Sequence, residues 1–170
     1  MGAFTPMLIR FLFALLLIFS ALSQATFMPQ AHLIQVIPDV TLVLLLVWSA
    51  LRGVPEGMAY AFGLGIFLDV LALDPLGTNA LALLPVALLG GMSRKRFFHS
   101  NLVFPLLLSV VATIAHAVVL LLLRSTDGIG VPFSTVIRFI FLQSLLNAIF
   151  VPPLYLIAGW MERRMDTHHA

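Results

Sequence analysis

Residues 53–77 read GVPEGMAYAFGLGIFLDVLALDPLG, and the pattern of this stretch sets the fold. Pro55 suits a first helical turn, where its missing N–H is no loss. From there the chain stays apolar to Leu73, then breaks at the tight turn Asp74-Pro75-Leu76-Gly77. A bilayer core of about 30 Å takes roughly 20 apolar residues as a helix, so residues 55–73 read as a transmembrane span. Gly53, Gly57, Ala61, Gly65 and Asp69 recur at every fourth position and therefore lie close to one helix face. Small residues at that spacing let a neighbouring backbone come close, within the same bundle or from a partner protein. Asp69 ends the stripe, and a carboxylate at membrane depth is costly unless paired, protonated or wet. It is expected to face the protein interior.

The rest of the chain agrees with this reading. Of 170 residues, 61% are hydrophobic and 9% charged, and the mean hydropathy is +1.11. A soluble domain carries about 25% charged residues, so the polar surface for a soluble globule is lacking. Cysteine is absent, which excludes disulfides and thiolate metal sites. Further apolar runs cover residues 11–27, 33–51, 78–92, 102–123 and 133–160. The expected architecture is all-α: a single transmembrane domain over residues 1–170, a compact bundle of about six helices. The second run contains Pro38-Asp39 and would be too short to span if its helix began there, so a kink or surface turn is expected. The fourth run is also short and is expected to sit behind its neighbours. Pro152-Pro153 predicts a kink in the sixth.

Six spans place Arg10, Arg52, Arg94-Lys95-Arg96 and Arg163-Arg164 on one side, leaving Arg124, Asp74 and Asp127 on the other. Short basic loops stay in the cytoplasm, which puts both termini there. Trp160 reads as an interfacial anchor. A cleavable signal peptide competes for the first segment, with Arg10 before an apolar stretch and Ser23-Gln24-Ala25 as the cleavage site. Its removal would break the charge pattern of an even bundle, so an uncleaved helix is expected.

This topology brings Asp39, Asp69, His116 and Arg138 into the same outer half of the bilayer from four separate segments. Each could snorkel to the interface alone. Together they would form a polar cluster, with Arg138 pairing with Asp69 or Asp39, that orients helices or lines an outward-facing cavity.

Motifs for catalysis are missing. The sequence has no Gly-x-Ser-x-Gly elbow, His-Glu-x-x-His helix or phosphate-binding glycine loop, and Gly63-x-Gly65 lies within an apolar helix with no lysine after it. Ser109 and His116 lie two turns apart on one helix and could form a dyad with another residue, but with catalytic motifs missing each is expected to make a helix–helix or backbone hydrogen bond. His168-His169 is a weak metal signal. Arg94-Lys95-Arg96 reads as a topology determinant and lipid-headgroup contact rather than a nucleic-acid patch. No enzyme activity and no cofactor are expected.

Residues 38–96 resemble the rod shape-determining MreD family. Pro38-Asp39-Val40 matches that family's Pro-Asp or Pro-Asn lead-in to an apolar helix, with Leu42 to Leu46 and then Arg52-Gly53 following. Its Gly-Phe-x-x-Gly-x-x-x-Asp helix is matched by Ala61-Phe62-Gly63-Leu64-Gly65-Ile66-Phe67-Leu68-Asp69, with Ala61 where glycine is usual. Pro75-Leu76-Gly77-Thr78-Asn79-Ala80-Leu81 fits the Leu-Gly turn, and Gly90-Gly91 before the basic loop also fits. The resemblance implies a non-enzymatic scaffold in the bacterial inner membrane, part of the cell-wall elongation complex. MreC is the expected partner, with MreB, RodA and the elongation penicillin-binding transpeptidase as complex members. The family is also thought to be similar to substrate-binding subunits of energy-coupling-factor transporters. The alternative function is accordingly a small-molecule or lipid-binding transport subunit with an outward-facing cavity.

Overall fold

The computed structural model describes residues 4–27, 38–97, 101–124 and 133–166, and no strand occurs among them. The helices are α1 (Phe4–Phe27), α2 (Val40–Arg52), α3 (Val54–Ala72), α4 (Thr78–Met92), a single-turn α5 (Arg94–Phe97), α6 (Val103–Arg124) and α7 (Phe133–Asp166). The basic loop at Arg94 is thus one helical turn. The last helix continues through Pro152-Pro153.

Everything is arranged around α2. Residues 41–51 are buried without a break, and α2 packs against each of the other helices. A helix that is apolar all round is stable only when wrapped on every side. Its 13 residues span about 20 Å at 1.5 Å per residue, short of a bilayer core. Within the expected second span of 33–51 the described helix begins only at Val40, after the break expected at Pro38-Asp39, and residues 33–37 lie outside the described residues. The 15-residue α4 is similarly short and packs against α2, α3 and α6. Four helical stretches are long and apolar enough to cross a membrane: Met7–Gln24, Val54–Ala72, Val103–Arg124 and Ser134–Gly159. Among the described residues six helices are apolar, but two are shorter than a full span: α2 is enclosed, whereas α4 leaves Leu81, Leu88 and Met92 exposed. Phe11, Phe19, Leu107, Leu122, Phe141 and Ile149 point outward, an apolar exterior suited to lipid.

Glycine sets how closely α2, α3 and α4 approach. On α3 the buried positions are Gly57, Ala61, Leu64, Gly65 and Asp69. A Cβ added at Gly65 would land on the Ala80 backbone of α4, and one at Gly57 would strike Ser49 of α2. Gly90 meets the same Ser49 from α4, and Gly91 meets Val54 at the start of α3. The small-residue face of α3 is therefore consumed inside the bundle. Gly53, at φ 91°, makes the bend that joins α2 to α3.

Among the described residues, two ion pairs tie the ends together. Arg10 of α1 reaches Glu56 of α3 at 2.9 Å, and Arg124 at the end of α6 reaches Asp74 at 2.6 Å. Arg10, Arg52 and the Arg94 turn share one end of the bundle, while Asp74 and Arg124 share the other. The first helix is built into the core by Phe13, which stacks on Trp48 at 3.9 Å. Asp127 and His168-His169 lie outside the described residues, as do the side chains of Trp160, Arg163 and Arg164.

The contrast between two glycines of one helix tests this packing. Gly65→Ala forces backbone apart, and overpacking of this kind costs about 1–3 kcal/mol. Gly63→Ala meets nothing within 4 Å. Melting in detergent should fall clearly for the first variant and stay near wild type for the second. Equal melting temperatures would show that α3 and α4 are not in backbone contact.

Candidate functional site

Two buried polar arrangements form at the Asp74–Arg124 end. The first is built on the start of α2. The first N–H groups of any helix lack partners within it, and at membrane depth each unsatisfied group costs several kcal/mol. Here each has an acceptor. The Asp39 carboxylate accepts from the Leu42 N–H at 2.9 Å and its carbonyl from Val43 at 3.2 Å. The Gln24 amide of α1 is oriented with its oxygen toward the N–H groups of Val40 (3.0 Å) and Thr41 (3.1 Å). Asp39 donates its own N–H to Asn147 of α7 at 2.6 Å. Asn147 then donates to Thr113 of α6 at 3.0 Å, and Thr113 to the Ser109 carbonyl at 2.8 Å. Ser20 and Thr41 share a hydroxyl hydrogen bond of 2.9 Å. The network joins α1, α2, α6 and α7.

The second arrangement is centred on Asp69, which is 0% exposed. One carboxylate oxygen accepts from the Gly77 N–H at 2.7 Å, the other from the N–H and the side-chain amide of Asn79, both at 2.8 Å. Gly77, at φ 100°, holds the left-handed conformation that turns its N–H toward Asp69. Asn79 also donates to Asp74 at 3.2 Å, and Asp74 in turn accepts from Arg124. Asp69 thereby clasps the α3–α4 turn and links it to the end of α6.

Between these two arrangements lies a cavity of about 460 Å³. Gln24, Asp39, Thr41, Asn79, His116 and Gln143 supply its polar wall, with Asp74 and Arg124 also facing it. Leu68, Leu71, Leu120 and Phe139 are among its apolar lining.

Of the four ionisable residues expected to cluster, Asp39 and His116 line this cavity and Asp69 sits behind it, bonded to the lining residue Asn79. Arg138 is the exception. It is exposed and pairs with neither aspartate. Rotation about the helix axis separates it from them. Val136 and Ile140 face the cavity, and Arg138, two residues from each, lies about 200° round the helix at 3.6 residues per turn. Asp69 finds backbone and amide donors instead, and the cation at this end is Arg124. Ser109 donates to the Leu106 carbonyl at 2.8 Å, a backbone bond as expected. Arg94, Lys95 and Arg96 are exposed, and Arg163 and Arg164 fall in the last turns of α7.

Gln24, Asn79, Thr113 and Asn147 were not evident from the sequence as site residues. Their signal was the cost of an amide or hydroxyl within an apolar helix, which leads such groups to seek buried partners.

Asp69→Leu removes an acceptor from two backbone N–H groups at once, and an unsatisfied buried donor costs about 1–3 kcal/mol. Asp69→Asn keeps one acceptor oxygen and should be milder. Arg138→Gln should leave stability unchanged. Thermal melting of the purified proteins in detergent should rank them in that order. Asp69→Leu melting with Arg138→Gln would contradict the clasp.

A family model for rod shape-determining protein MreD matches residues 5–159. No curated protein and no solved structure matches the chain. The family is one of shape-determining membrane proteins and is not a known enzyme family, and it implies a role in rod shape determination. The match runs from the first helix through the cavity-lining turns of the last, and four of the helices it includes are long and apolar enough to cross a bilayer: the chain belongs to the MreD family of membrane proteins.

Proposed function

We propose that this protein is a non-enzymatic scaffold of the bacterial cell-wall elongation complex. It sits in the inner membrane with both termini cytoplasmic, and it binds and stabilises MreC. MreB, RodA and the elongation penicillin-binding transpeptidase are the further members of that complex. Support comes from the family's role in rod shape and from the absence of catalytic motifs in the sequence.

The observation that carries a partner helix is a second small-residue face on α3. The face of Gly57 and Gly65 is used up by α2 and α4. On the opposite side, Ala59 and Gly63 are exposed, and they line an open groove of about 420 Å³ with Ala14, Ile18 and Phe67. A Cβ at Gly63 meets nothing within 4 Å. Small residues beside a groove allow a further helix close approach, the main source of helix association in lipid. A transmembrane helix of MreC is the proposed occupant.

Gly63→Leu therefore separates binding from folding. The variant should keep its abundance and melting temperature, lose MreC in detergent pull-downs, and give rounded cells. Full retention of MreC and of rod shape would exclude this groove as the partner face. Orientation is checked by cysteines at two exposed positions, Leu76→Cys and Lys95→Cys. Only the first should be labelled from outside in intact spheroplasts.

A further inference from the structure

Most polar side chains buried at the cavity end have partners in the protein. His116 does not. It is 7% exposed, lines the cavity, and has no hydrogen bond among the described residues. A neutral imidazole carries one donor and one acceptor, and leaving a buried polar group unpaired is unfavourable. Asp39 faces the same cavity. One of its carboxylate oxygens is held by Leu42, and the other accepts no hydrogen bond among the described residues. The other charges that line the cavity, Arg124 and Asp74, are paired with each other at 2.6 Å. The open functions of the cavity thus include a carboxylate oxygen and an imidazole, with the Gln143 amide and the Thr135 hydroxyl also lining it, above an apolar wall that includes Leu68, Leu71, Leu120 and Phe139.

The geometry points to a binding site for an amphipathic amine, with its ammonium between Asp39 and His116 and its apolar body against the leucines and Phe139. The ammonium is a donor-only cation, matching a free carboxylate oxygen and an imidazole acceptor. At about 460 Å³ the cavity is in the range of sites for small organic ligands. Two sources share this chemistry: the ethanolamine headgroup of a phospholipid, and a free alkylamine. The site is independent of the α1–α3 groove, so it stands whether or not MreC docks there.

The test uses the full-length protein in detergent, titrated with octylamine, octanol, phosphatidylethanolamine and phosphatidylglycerol, and read by melting temperature and native mass spectrometry. At least one amine-headed probe should bind and raise the melting temperature, while octanol and phosphatidylglycerol should not. Binding of octylamine identifies the free amine, and binding of phosphatidylethanolamine alone identifies the lipid. Asp39→Asn keeps a capping oxygen for Leu42, because asparagine caps helices well, and should weaken binding at least tenfold. Arg138→Gln, off the cavity face, should bind as wild type. Should Asp39→Asn fail to fold, the contrast of octylamine with octanol and of the two phospholipids on the wild type decides the matter. The proposal is overturned if no amine-headed probe binds, if octanol or phosphatidylglycerol binds equally well, or if folded Asp39→Asn binds undiminished.

Discussion

A helix too short to reach both faces of a bilayer leaves at least one end that bulk water does not serve, and the rest of this structure follows from that constraint. α2 is such a helix, 13 residues long and buried throughout residues 41–51. Backbone groups at membrane depth need partners from the protein itself. Gln24 from α1, Asp39 at the cap and Asn147 from α7 provide them at its start. At its other end Gly53 donates to the Ser49 carbonyl at 2.8 Å and turns the chain directly into α3. The helices around α2 enclose an apolar rod and also complete its hydrogen bonding. Their relative positions are fixed by directional contacts as well as by packing.

The same enclosure explains the glycines. Packing in lipid gains little from hydrophobic burial, so close backbone contact carries more of the association. Gly57 and Gly90 bracket Ser49 of α2 from two neighbouring helices, and Gly65 brings α3 onto the α4 backbone. Ser49 turns its hydroxyl back to the Leu45 carbonyl at 2.7 Å, which satisfies it without outside help. With this face committed, the groove beside Gly63 is a small-residue surface left uncovered among the described residues.

The two ends of the bundle differ in chemistry. At the basic end the Arg52 guanidinium lies 5.1 Å from the Trp48 ring centroid, beside the stacked Phe13 and the edge of Tyr60. Tyr60 donates to the Arg10 carbonyl at 3.0 Å, so α1 is anchored here by aromatic contact and charge. At the far end α1 contributes Gln24 to the cap of α2 and to the cavity wall. One helix thus borders both the proposed partner groove and the proposed ligand site. That placement makes α1 an integral part of the bundle.

Composition alone determined that this chain is an apolar helical bundle, because too few charges exist to solvate a soluble surface. Periodicity determined that Gly57, Gly65 and Asp69 share a buried face, since every fourth residue of a helix returns to the same side. The order of motifs from Pro38 to Arg96 pointed to the family, and the basic segments were legible as one end of the bundle. Tertiary structure decided the rest. Which neighbour fills a small-residue face depends on where α2 and α4 lie, and spacing within α3 carries no such information. Asp69 was legible as buried, but its donors come from a turn whose geometry depends on Gly77 in a left-handed conformation. Arg138 was legible as a charge within an apolar helix, yet rotation about α7 carries it away from the cavity. Asn147, more than one hundred residues from Asp39, became its partner only through packing, because linear sequence records polarity and spacing but not which helices meet.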